Sequence, residues 1–167
     1  QKQMALLNTH PRYRYDGLTA YAQRLCDTLP EPLDTCFFVN SGSEANELAL
    51  RIAQTITGQK EMLVVDNAYH GHTNAMIEIS PYKFMGSGGR GKPEPWVHIV
   101  PLADPYRGKF NGKDEDAGIA YGHEVGKILE TLDVPVAGFI TESLLSCGGQ
   151  VIPPKAYFKT AFKHVRD

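Results

Sequence analysis

The chain has little cysteine, a single tryptophan, and no apolar run approaching the roughly 20 residues that span a bilayer. Its first residues lack the apolar centre of a secretory signal. It therefore reads as soluble and intracellular, cytoplasmic or, in a eukaryote, mitochondrial, with no membrane partner. The three cysteines, Cys26, Cys36 and Cys147, are odd in number and never spaced as C-x-x-C. That spacing argues against a disulfide framework or a cysteine-built zinc site and fits reduced thiols. An excess of one charge is also missing: 17 Lys and Arg face 19 Asp and Glu, scattered along the chain, for a net charge of −2. Without a basic stripe, nucleic acid is not an expected partner.

What is present is ordinary globular composition, 42% hydrophobic and 22% charged in 167 residues, enough for one domain. The stretch around which the chain is organised is Asn40-Ser41-Gly42-Ser43-Glu44-Ala45-Asn46-Glu47. The apolar run Cys36-Phe37-Phe38-Val39 leads into it, and Ala45, Leu48, Ala49, Ile52, Ala53 and Ile56 follow at helical spacing. The pattern predicts strand, tight turn and helix, the helix ending near Gly58. Unpaired N–H groups and the positive end of a helix dipole at such a turn suit a phosphate. The competing reading is a plain cap, with Ser41 and Glu44 forming a capping box.

Elsewhere, residues 1–15 read as a connector. Asp16 opens a helix in which Leu18, Tyr21, Ala22, Leu25 and Leu29 recur at helical spacing before Pro30. Met62-Leu63-Val64-Val65, Trp96-Val97-His98-Ile99-Val100 and residues 136–140 read as further strands. Residues 81–95 and 104–116 read as loops. A helix is expected from near Ala117, and another from Lys155 to His164. Uniformly apolar strands between amphipathic helices predict an α/β fold with a mostly parallel sheet covered on both faces. In such sheets ligands sit beyond the carboxyl ends of the strands. Ser41 to Ser43, Tyr69 to His72, and Glu142 with Ser143 each follow a predicted strand and are expected to share one site.

Each of these signals has a plainer reading. Tyr69-His70-Gly71-His72 offers two alternating histidines, a solvated loop, or an aromatic platform for a planar ligand; no cysteine or acidic cluster stands beside it to complete a metal site. Glu142 at a strand end is also compatible with a solvated charge. Gly86-Ser87-Gly88-Gly89-Arg90-Gly91-Lys92 matches the glycine and lysine spacing of a P-loop. A P-loop, however, opens a helix and continues in Ser or Thr; here Pro93 follows the lysine, which argues for a mobile loop and against nucleotide triphosphate binding.

Taken together, Asn40 to Glu47, the Tyr69-His70-Gly71 loop and Glu142 resemble the class III pyridoxal-phosphate aminotransferase family over essentially the whole chain. The resemblance implies a part of the large domain of the fold-type I pyridoxal-phosphate-dependent transferase fold, residues 1–167 forming one domain truncated at both ends. It implies pyridoxal 5'-phosphate as cofactor, with Gly42 and Ser43 at its phosphate, Tyr69 stacked on its ring, His70 beside it, Glu142 as a catalytic candidate, and a homodimeric full-length protein. Asn67 to His72, Ile79 to Phe84 and Glu142 to Gln150 look most like the phospholyases acting on phosphoethanolamine or phosphohydroxylysine. ω-Aminotransferases carry a second glutamate near the position of Cys147, and its absence favours elimination of phosphate over transamination. Neither the cofactor lysine nor the aspartate that protonates the cofactor ring is found in its family context, so this polypeptide alone is expected not to be a competent enzyme. The readings weighed are a phospholyase, an ω-aminotransferase, and a non-catalytic binding module that keeps the fold.

Overall fold

A computed structural model describes residue 5 and residues 16–112 and 115–167. The expected connector over residues 1–15 lies, Ala5 apart, outside the described residues, as do Lys113 and Asp114. The chain divides between Phe38 and Val39 into two compact units.

The first unit holds helix α1 (Asp16–Cys26), which has no buried residue. The apolar pattern predicts a helix to Leu29, but α1 stops at Cys26. Turns take over there, with the Thr28 N–H donating to the Leu25 carbonyl and the Leu29 N–H to that of Cys26. The expected strand Cys36-Phe37-Phe38-Val39 is absent: these residues form no ladder. Phe37, Phe38 and Val39 remain 66%, 45% and 41% exposed. Apolar composition supplies a reason to be buried, but only a neighbouring strand supplies partners for the backbone N–H and C=O groups. Phe38 stacks instead on Tyr21, with ring centroids 5.4 Å apart.

The second unit runs α2 (Gly42–Thr57), β1 (Met62–Val65), α3 (Asn74–Glu78), α4 (Pro81–Phe84), β2 (Val97–Val100), α5 (Glu115–Leu129), β3 (Gly138–Ile140) and α6 (Tyr157–Arg166). Its three strands lie in the order β2-β1-β3, all parallel, with Met62 opposite Val97 and Gly138. This is the expected α/β architecture. Two short helices, α3 and α4, were not expected; α4 occupies the start of a stretch that reads as loop, where Pro81 at the first turn is compatible with a helix N-terminus.

β1 explains the layering. All four of its residues are buried, and their side chains alternate. Leu63 and Val65 point into a cluster with Val100, Tyr121 and Val125 of β2 and α5, and with Tyr157 and Ala161 of α6. Met62 and Val64 point into another with Leu50, Met76, Phe84 and Val97. Each such side chain contributes roughly 2 kcal/mol of burial, an upper estimate. α6 and the residues that lead into it lie close against Gly118, Gly122 and Gly126 of α5: a Cβ at Gly118 would overlap the Lys155 carbonyl oxygen, one at Gly122 would stand 2.5 Å from the Thr160 side chain, and one at Gly126 2.6 Å from the His164 ring.

Candidate functional site

α2 begins where its sequence says it should. Ser41 is extended, with φ −154° and ψ 160°, and its hydroxyl accepts the Glu44 N–H at 3.2 Å. The Glu44 carboxylate accepts the Asn40 N–H at 2.6 Å, one residue before the N-cap Ser41 that a strict capping box would engage. Glu44 is thereby turned back toward Asn40. The Gly42 and Ser43 N–H groups have no acceptor within the helix, because the first turn has no preceding carbonyls. At Gly42 nothing lies within 4 Å of where a Cβ would stand, so the turn is open on that side.

The loop after β1 is fastened to this helix start. β1 ends with the Asp66 N–H donating to the Val100 carbonyl, and the chain reverses through Asn67, at φ 62°. The His72 N–H donates to the Ser43 hydroxyl at 3.0 Å, and the Asn46 side-chain amide donates to the His70 carbonyl at 2.8 Å. Gly71 passes so close that a Cβ there would stand 2.7 Å from Ser43 Oγ, and its φ of 143° suits glycine alone. The Ser80 hydroxyl, buried, accepts the His70 N–H at 2.9 Å and donates to the Met76 carbonyl at 2.5 Å. The three residues His70 to His72 are thus held at both ends.

Glu142, two residues past β3, holds the other side. One carboxylate oxygen accepts the Tyr69 N–H at 2.9 Å and the other the Ser146 N–H at 3.0 Å. The first bond fixes where Tyr69 begins, and the second ties the turn after β3 to the same carboxylate. The Tyr69 ring is half-buried and meets Tyr82 edge-on, centroids 6.2 Å apart, with Lys83 Nζ 5.6 Å from the Tyr69 ring centre. His70 is buried, its Nε2 without a partner among the described residues. Burial lowers its pKa to about 4, against a smaller opposing pull from the Glu142 charge, so the imidazole is neutral near pH 7.

Gly42, Ser43, Tyr69, His70 and Glu142 therefore belong to one linked assembly at the carboxyl ends of β1 and β3 and the start of α2. Sequence reasoning missed Asn46 and Ser80, the polar side chains that hold the His70 backbone; a buried serine ten residues from its partner leaves no local pattern. Lys159 and Lys163 are on α6, which packs on the sheet face carrying Leu63 and Val65. A cleft of about 470 Å³ lined by Asp104, Arg107, Gln150 and Lys155 contains none of the assembled residues. Among the described residues no group of three or more His, Cys, Asp or Glu is placed to hold a metal ion, and no helix is long and apolar enough to cross a membrane.

Residues 1–166 match the family model described as aminotransferase class III. The chain is 46% identical over 171 residues to a Drosophila melanogaster protein named alanine–glyoxylate aminotransferase 2-like, covering 99% of this chain and 34% of that protein. It is 43% identical over 178 residues to the Caenorhabditis elegans ethanolamine-phosphate phospho-lyase homolog 1, covering 99% of this chain and 38% of the relative. Among solved structures, a phospholyase from Arthrobacter in complex with phosphoethanolamine superposes with a TM-score of 0.81 at 29% identity, over 99% of this chain and 39% of that one. The chain thus spans between a third and two fifths of the length of these proteins. With its fold, its matched residues and its relatives in agreement, the chain belongs to the class III aminotransferase family.

Proposed function

We propose that this chain forms the phosphate-binding and ring-stacking wall of a pyridoxal-phosphate-dependent phospholyase that eliminates phosphate from a phosphorylated amine such as phosphoethanolamine. The observation that carries the reading is the linkage of Ser43 through His72 to the Tyr69 loop, and of that loop to Glu142. It joins an anion-binding helix start and an aromatic ring in one assembly. The similarity to relatives named for phospholyase activity supports the choice of substrate class.

The residues fit the cofactor. The Gly42 and Ser43 N–H groups, without acceptors in the helix and at a turn left open at Gly42, suit a phosphate dianion. Ser43 Oγ, already accepting from His72, retains its own hydrogen to donate. The half-exposed Tyr69 ring offers an aromatic surface to a planar heterocycle. When bound, the cofactor supplies the electron sink for loss of a proton from the carbon bearing nitrogen. Glu142 contributes by positioning, since both of its oxygens are engaged with backbone donors. The lysine that would carry the cofactor is not assigned to any lysine of this chain, and a homodimer would complete the site in the full-length protein.

An ω-aminotransferase is the second reading, favoured by the relative named as an aminotransferase. Product analysis on the full-length protein decides between them. Release of inorganic phosphate from phosphoethanolamine without an amino acceptor is the expected result; strict dependence on a keto acid would replace the first reading with the second. No turnover of either substrate class, with no cofactor bound, would favour a non-catalytic module.

A further inference from the structure

Cys26 is the last residue of α1, and Cys36 lies ten residues further on, yet their sulfur atoms are 3.3 Å apart. Both thiols are half-buried and free. Cys36 Sγ is also 4.0 Å from the Ala22 carbonyl oxygen, on the preceding turn of the same helix. Cys147, the third cysteine, is exposed and free.

We propose that Cys26 and Cys36 form a reversible dithiol–disulfide site, oxidised by a peroxide and reopened by a small-molecule thiol. The sulfurs need to close by only about 1.3 Å to reach disulfide bonding distance. The two sides differ in freedom. Cys26 is anchored in helical backbone, whereas residues 33–39 belong to no helix or strand, so the Cys36 side is free to make the movement. Contact with the Cys36 thiol, burial, and the nearby Asp34 and Asp27 charges hold the Cys26 thiol above its ordinary pKa, which suits Cys26 to the resolving role. Cys36, on the irregular segment, is assigned the first attack on the oxidant.

The chemistry balances. The Cys36 thiolate sulfur attacks one peroxide oxygen and the O–O bond breaks; with the proton given up by the thiol, the departing oxygen leaves as water and Cys36 becomes a sulfenic acid. Cys26 sulfur then attacks the sulfenic sulfur. The S–O bond breaks, its hydroxyl leaves as water with the Cys26 proton, and the S–S bond forms. Two thiols lose two protons and two electrons, and hydrogen peroxide takes up both pairs and is reduced to two waters. A thiol such as glutathione reverses the step by exchange. The bond ties the end of α1 to the segment that runs on in sequence toward Ser41.

Mass spectrometry of the full chain tests this. After hydrogen peroxide and then iodoacetamide, trypsin releases residues 25–51 with both cysteines in one peptide, since no Lys or Arg stands between Leu25 and Arg51. That peptide is expected two hydrogens lighter and unalkylated, and alkylated again after dithiothreitol. Cleavage before Asp27 and Asp34 should then leave the Cys26 and Cys36 peptides joined. The link is expected to persist in Cys147→Ser, and Cys26→Ser should leave a sulfenic acid on Cys36 that dimedone labels. Equal alkylation of both cysteines before and after peroxide, or a link that disappears in Cys147→Ser, would overturn the proposal.

Discussion

Glu142 reaches back 73 residues in sequence to accept the N–H of Tyr69 at 2.9 Å. Its second oxygen accepts the N–H of Ser146, so one carboxylate sets both the start of the aromatic loop and the turn after β3.

Removing that carboxylate leaves two backbone donors unpaired, that of Tyr69 partly buried and that of Ser146 exposed. Glu142→Ala is expected to cost about 2–3 kcal/mol of unfolding free energy, and Glu142→Gln about half as much because the amide keeps one acceptor oxygen. Urea unfolding of the two variants measures this. Equal loss in both would mean that charge, and not the acceptor geometry, does the holding.

Gly71 carries the close approach of the loop to Ser43. Gly71→Ala places a methyl 2.7 Å from Ser43 Oγ and 2.9 Å from its Cα, at a φ of 143°. The expected cost is about 2–3 kcal/mol in thermal unfolding, with the His72–Ser43 bond lost first. In the full-length protein the same change should weaken cofactor binding by at least tenfold. A variant with unchanged melting temperature would show that the loop is not held where it is found.

His70 makes the unit acid-sensitive. Its pKa falls from 6.5 to about 4 on burial, so the unfolded chain takes up the proton first as the pH drops. The stability contributed by neutral His70 is whole above pH 6.5 and is lost progressively toward pH 4, by up to about 3 kcal/mol. The comparison to make is the pH dependence of unfolding in the wild type and in His70→Leu. The variant should show a shallower loss between pH 6.5 and 4, and parallel curves would contradict the assignment.

Tyr157 is 1% exposed and its hydroxyl has no partner among the described residues. Burial raises its pKa, so the group stays protonated at all ordinary pH values. An unpaired buried hydroxyl is a cost, and Tyr157→Phe should stabilise the chain by about 0.5–1 kcal/mol. Calorimetry that shows a lowered melting temperature would reveal a bond to this hydroxyl.

Features written in neighbouring residues were legible before any fold was known. Ser41 and Glu44 specify the start of α2 and Gly58 its end, because capping needs only groups three or four positions apart. The apolar runs at 62–65 and 97–100 specify buried strands, and the motif spacing specifies the family. Tertiary structure decided what depends on groups far apart in the chain. Residues 36–39 carry a strand-like composition and form none, because pairing requires a neighbour that no local pattern reports. Gly118, Gly122 and Gly126 acquire their purpose only when α6 lies against them, and Cys26 and Cys36 become a pair only when the turns after α1 bring them together. Glu142 was legible as a candidate but not as the holder of Tyr69, since a carboxylate accepts whichever N–H groups the fold delivers to it.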